Sequence, residues 1–94
     1  MSHPGYWKDE TSGVLRPAIE AYLNCETMQQ PQIAAMRAYL RQWIMAPVWD
    51  QNPHAQPVHR RWLDGLRSRI DELTDRPAIE NWLWDANEGG IDPL

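Results

Sequence analysis

The chain has 94 residues, 43% of them hydrophobic, and a formal net charge of −4, a balance that suits one small globular domain rather than a disordered segment. Its one cysteine, Cys25, excludes an internal disulfide and fits a reducing compartment. No apolar run approaches the roughly 18 residues of a membrane span. Residues Met1 to Trp7 lack the basic-then-apolar order of a secretory signal, so a cytoplasmic protein is expected.

Residues 1–13 read as an N-terminal arm carrying Tyr6 and Trp7. A first helix is predicted from Leu15 to Leu23, where Leu15, Ile19, Tyr22 and Leu23 fall on one helical face. Pro17 lies in its first turn, where a missing N–H costs nothing, and Asn24 can end it. The second helix is predicted from Pro31 to Met45, with Ile33, Met36, Leu40, Trp43 and Ile44 as its apolar stripe. Arg37 and Arg41 flank that stripe, and Ala34, Ala35, Ala38 and Gln42 form a smooth far side that another chain could approach. Pro47 stops this helix, because the residue before a proline is pushed out of the helical region.

Residues 47–57 hold three prolines and no period, which predicts a long loop, and long loops are often functional. A third helix follows from Val58 to Leu73, with Trp62, Leu63, Leu66, Ile70 and Leu73 on its core face. Thr74 or Asp75 caps a fourth helix from Arg76 to Asn87, with Pro77 in its first turn and Ile79, Trp82, Leu83 and Ala86 facing inward. Gly89-Gly90 ends it, and the tail, residues 88–94, is apolar enough at Ile91 and Leu94 to fold back. These segments predict an all-α fold over residues 1–94: a single domain, a compact bundle of about four helices with a proline-rich loop between the second and third. The third and fourth helices are expected to form a hairpin.

One stretch repeats. Arg16-Pro17-Ala18-Ile19-Glu20-Ala21-Tyr22-Leu23 echoes Arg76-Pro77-Ala78-Ile79-Glu80-Asn81-Trp82-Leu83. The echo reflects either a duplicated helical hairpin or convergence on a good helix start, and the second is favoured because nothing after Leu23 and Leu83 stays aligned. Each stretch carries an arginine four residues before a glutamate, which predicts an exposed ion pair in both copies.

Chemistry is poorly provided for. His3, His54 and His59 have no metal-binding spacing, and a lone cysteine cannot build a structural zinc site. Glu26 beside Cys25 opposes thiolate formation. Neither a phosphate-binding glycine loop nor a nucleophile elbow is present. No enzyme, cofactor, metal or small-molecule substrate is expected.

Charge is unevenly spread. Residues 33–69 carry Arg37, Arg41, Arg60, Arg61, Arg67 and Arg69 against Asp50 and Asp64, a net +4. Residues 70–94 carry Arg76 against Asp71, Glu72, Asp75, Glu80, Asp85, Glu88 and Asp92, a net −6. The two regions either neutralise each other in the fold or form opposite poles. A nucleic-acid reading would rest on Arg60, Arg61, Arg67 and Arg69. However, Arg60, Asp64, Arg67 and Asp71 alternate in sign along one helical face, which predicts a solvated stripe rather than a phosphate track. The long central loop also lacks the short turn of a helix-turn-helix.

Aromatic usage favours interaction. There are six tryptophans, three tyrosines and no phenylalanine, and tryptophan is enriched where interfaces concentrate their energy. Trp84 falls roughly 160° from Trp82 around the fourth helix, so it is expected outside the core. Trp7, Trp49 and Tyr6 serve either as plugs or as contacts. The partner-binding candidates are therefore Trp84, Trp49, Trp7, Tyr6, Arg37 and Arg41.

The run Ala38-Tyr39-Leu40-Arg41-Gln42-Trp43-Ile44, with the ending Gly90-Ile91-Asp92-Pro93-Leu94, resembles short uncharacterised bacterial proteins, some carried on phage or other mobile DNA. That resemblance spans most of the chain. It implies an accessory or regulatory role and transfers no functional residues. The expected function is a non-catalytic protein–protein interaction, with itself or as a small regulator or inhibitor of a larger protein. The alternative is a nucleic-acid-associated protein acting through the basic middle.

A salt titration with random duplex DNA separates these two, because phosphate contacts release counterions. The expected outcome is no measurable binding at physiological salt. Micromolar binding with a steep salt slope, weakened by Arg60→Ala with Arg61→Ala, would reverse the order.

Overall fold

Prolines and helix caps partition the chain as their chemistry dictates. The computed structural model describes residues 6–9, 13–51 and 57–94. Its α-helices are α1 (Leu15–Leu23), α2 (Gln30–Ile44), α3 (Pro57–Arg69) and α4 (Arg76–Glu88). Single 3-10 turns occupy Tyr6–Asp9, Pro47–Asp50 and Ile70–Glu72. No strand occurs among the described residues. The radius of gyration, 13.4 Å, is near the ~12 Å of a folded chain this long and far from the ~30 Å of an unfolded one.

The helix starts have identifiable causes. At α2, the Gln32 side chain accepts from the Gln29 backbone N–H at 2.9 Å, and Pro31 sits in the first turn. At α4, Asp75 rather than Thr74 is the cap; its carboxylate accepts from the Ala78 N–H at 2.9 Å.

Two helices end alike. After α4, Gly90 takes a positive φ of 92°, and the Ile91 N–H reaches back to the Ala86 carbonyl at 2.9 Å. After α1, Cys25 takes the left-handed position with φ 58°, and the Glu26 N–H reaches the Ala21 carbonyl at 2.8 Å. Both are Schellman endings. Cysteine in that position costs about 1–2 kcal/mol, which the surrounding contacts must offset.

The core forms on the predicted faces of α2 and α4. Ile33, Met36, Leu40, Trp43 and Ile44 are buried, joined by Tyr39; so are Ile79, Trp82, Leu83 and Ala86. From α3 and the turn after it come Leu63, Leu66, Ile70 and Leu73. α1 packs along α2, and α3 packs on α4 as a hairpin. The tail does fold back: Ile91 and Pro93 are buried, and the Tyr39 hydroxyl donates to the Pro93 carbonyl at 2.6 Å.

Four expectations need correction. The third helix does not run unbroken to Leu73: it stops at Arg69 and tightens into the 3-10 turn Ile70–Glu72. The proline-rich segment is not a plain loop at its start, because Pro47 opens a 3-10 turn through Asp50; residues 52–56 lie outside the described residues. The face of α1 is rotated from the predicted one. Ala18, Ile19 and Ala21 are buried while Leu23 is 51% exposed, since small residues let α1 approach α2 closely. Trp62 is half-buried at the edge of the core rather than within it.

That edge position depends on a glycine. The Trp62 ring lies across Gly89 so closely that a Cβ there would fall 1.9 Å from its Cζ2. The ring cannot swing away without breaking its indole bond to the Asp85 carbonyl, 2.8 Å long. Gly89→Ala should therefore cost about 1–3 kcal/mol as overpacking. Gly65, inside α3, has nothing within 4 Å of its would-be Cβ, so Gly65→Ala should stabilise by roughly 0.5–1 kcal/mol. Urea unfolding of the two variants checks both signs.

Candidate functional site

The tryptophans sort by burial. Trp82, Trp7 and Trp43 are 1%, 4% and 6% exposed, whereas Trp84 is 66% exposed. Trp49 and Trp62 are partly buried against the core. Trp7 is thus a plug, not a surface contact: its indole N–H donates to the Leu94 carbonyl at 3.4 Å, tying the N-terminal turn to the tail. Trp49 donates to the Trp43 carbonyl and pins the Pro47–Asp50 turn onto the end of α2. The Tyr6 side chain lies outside the described residues.

The arginine candidates are mostly engaged within the chain. Arg37 donates to the Leu73 carbonyl at 2.9 Å, and Arg41 pairs with Asp71. Both tie α2 to the end of the third helical segment. Arg67 is the most heavily used. It grips the Asp50 carboxylate through two nitrogens, at 2.8 and 3.0 Å, and donates to the Ile44 carbonyl at 2.8 Å. Arg69 pairs with Asp85 at 2.7 Å. Arg60 stands 4.0 Å from Asp50, and Arg61 is exposed.

The alternating stripe of α3 is therefore not neutralised along its own face. Asp50 and Arg41, on other elements, supply the opposite charges for Arg67 and Asp71. The two copies of the repeat diverge as well. Arg16 makes the expected ion pair with Glu20 at 3.1 Å. Arg76 instead donates to the Tyr22 and Glu26 carbonyls with its guanidinium 4.7 Å above the Tyr22 ring.

What remains open is a cleft where α1, α4 and the tail meet. Its volume is about 340 Å³, and Tyr22, Leu23, Leu83, Trp84 and Leu94 supply its apolar lining. Leu23 and Trp84 stand out at its rim, 51% and 66% exposed. Glu80, Asn87 and Asp92 add the polar lining. Burial, and after it the Glu80 carboxylate, push the Tyr22 phenol above its ordinary pKa, with Arg76 opposing. Sequence reasoning placed Trp84 outside the core but missed Leu23, whose exposure follows from the rotation of α1.

A second, shallower groove of about 640 Å³ runs over the alanine side of α2, lined by Val14, Ala34, Ala35, Ala38 and Gln42 among others. Among the described residues, no three histidine, cysteine or acidic side chains converge as a metal site. Among them, too, no helix is long and apolar enough to cross a membrane. The chain matches no protein family, no curated protein and no solved structure in comparisons with known proteins.

The Arg67–Asp50 pair has a pH signature. Its hydrogen bond from Arg67 is the main reason that the Asp50 carboxyl titrates below its ordinary value; partial desolvation opposes this, and the Arg67 and Arg60 charges add to it. The stabilisation is present above the unfolded-state pKa near ~3.9 and is lost as pH falls through the lower folded value. Asp50→Asn should therefore be less stable than wild type at neutral pH, and that difference should shrink as pH falls below about 4. Urea unfolding at several pH values measures it, and a constant difference would show that the ion pair contributes nothing.

Proposed function

We propose that this chain is a non-catalytic protein-binding module that docks its partner on the α1–α4 face around Trp84. The observation that carries the reading is the exposure of that ring. The other five tryptophans lie in the core or packed against it, while Trp84 keeps 66% of its surface in solvent. Leu23 and the cleft beside it extend the apolar area. Single exposed apolar residues are ordinary, but a tryptophan and a leucine flanking a cleft form the kind of patch that marks an interaction site. An accessory or regulatory role, as the resemblance to small bacterial proteins implies, is consistent with such a module. The nucleic-acid reading loses support, because Arg67 and Arg69 are tied into ion pairs with Asp50 and Asp85.

Truncating the two neighbouring rings separates docking from folding. Trp84→Ala should change stability by less than about 0.5 kcal/mol and weaken self-association or capture of the partner. Trp82→Ala, at a fully buried site where the indole donates to the Leu66 carbonyl at 2.9 Å, should cost about 3–5 kcal/mol. Thermal unfolding together with sedimentation and affinity capture reads both effects. If Trp84→Ala unfolds the chain as severely as Trp82→Ala, the ring is structural and the docking reading falls.

A further inference from the structure

We infer that the occupant of the α1–α4 cleft is a basic amphipathic helix of a partner protein, with lysines or arginines bracketing an apolar anchor; this rests on the docking reading above. The cleft has an apolar lining and an acidic border. Glu80 and Glu88 lie four residues before and after Trp84 on α4, so one exposed stripe presents carboxylate, indole and carboxylate in succession. Asp92, at the tail side of the cleft, adds a third carboxylate. Among the described residues, none of these three forms an ion pair.

The cations on the surrounding elements are engaged. Arg16 pairs with Glu20. Arg76 is held by the Tyr22 and Glu26 carbonyls. Lys8 lies over the Trp7 ring, 5.6 Å from its centroid. Unlike Asp71 and Asp85, which pair with arginines of the basic middle, the carboxylates around the cleft make no ion pair among the described residues.

A complementary surface brings cations on either side of an apolar side chain, and a helix delivers that pattern at spacings of three and four residues. A second copy is the wrong occupant. A two-fold pairing through this face would bring the carboxylates of Glu80, Glu88 and Asp92 in one copy close to those of the other, and like charges across an interface are costly. Phosphate-bearing partners meet the same repulsion.

The probe is a fluorescein-labelled peptide of roughly 15 residues, long enough to hold a helix, with leucines along one face and lysines beside them. A sister peptide carries glutamate at each lysine position. Fluorescence anisotropy should show the lysine peptide binding the intact chain, more weakly as salt rises. Binding should fall at least about tenfold in Trp84→Ala and in the combined Glu80→Gln, Glu88→Gln, Asp92→Asn variant, both confirmed folded by circular dichroism. Asp64→Asn with Glu72→Gln removes as many as two charges elsewhere and should leave binding unchanged. An equal loss in that control overturns the inference in favour of diffuse attraction to net charge. Equal binding of the glutamate peptide, or no binding of either peptide, also overturns it. In those cases the docking reading itself stands if Trp84→Ala still abolishes self-association or partner capture. It falls with the inference if Trp84→Ala changes nothing.

Discussion

A helix leaves its last carbonyls without partners inside the helix, and the way this chain satisfies them organises the molecule. Each of the four helices has a last-turn carbonyl that accepts a side-chain N–H from a different element. Tyr22 of α1 receives Arg76. Ile44 and Trp43 of α2 receive Arg67 and Trp49. Leu66 of α3 receives Trp82, and Asp85 of α4 receives Trp62. Arginine adds a positive charge where the helix dipole is negative. Tryptophan adds a large apolar surface to the same single donor. These bonds stitch each helix end to a neighbour.

The same device separates what was legible in the sequence from what was not. Apolar spacing located α2 and α4 and their buried faces, because those helices are covered along one side and Ile33, Met36, Leu40, Ile79, Trp82 and Leu83 fall on that side. It misjudged α1, where the burial of Ala18 and Ala21 depends on how closely another helix approaches, and residue type alone does not report that. The pairing of arginines was illegible for a similar reason. Arg16 and Arg76 share the same local sequence, yet Arg16 takes Glu20 four residues on while Arg76 takes the open end of α1. Only the second lies within reach of carbonyls at the end of α1, and that proximity is tertiary. Helix spacing found Trp84, because direction around a helix needs no tertiary information. The cleft beside it requires α1, α4 and the tail together.

The contacts also decide how the uneven charge is used. Three arginines of the basic middle are used at seams: Arg67 joins α3 to the end of α2, Arg41 reaches Asp71 and Arg69 reaches Asp85. Two of the acidic residues of the last quarter are thereby neutralised, and Asp75 caps α4. The bulk cancellation and the two-pole arrangement are both partly realised, since Arg41, Arg67 and Arg69 pair within the fold, Arg61 stays exposed, and a residue of negative charge stays on the α4 surface.

That residual charge and the exposed indole constrain each other. On an exposed helix position tryptophan is a poorer helix former than alanine, lysine or glutamate, and Trp84 covers none of the fully buried core, so folding alone gives no reason for a tryptophan there. An apolar ring in solvent also invites copies to associate. Carboxylates one turn away on either side oppose that, because bringing two such faces together forces like charges out of water and into proximity. The same carboxylates would not oppose a cationic partner; they would draw it in and favour the orientation that sets its apolar side chain against the ring. On the proposed reading, Glu80 and Glu88 would act as a filter on what reaches Trp84, disfavouring the chain's own copies by the same field that favours a basic segment.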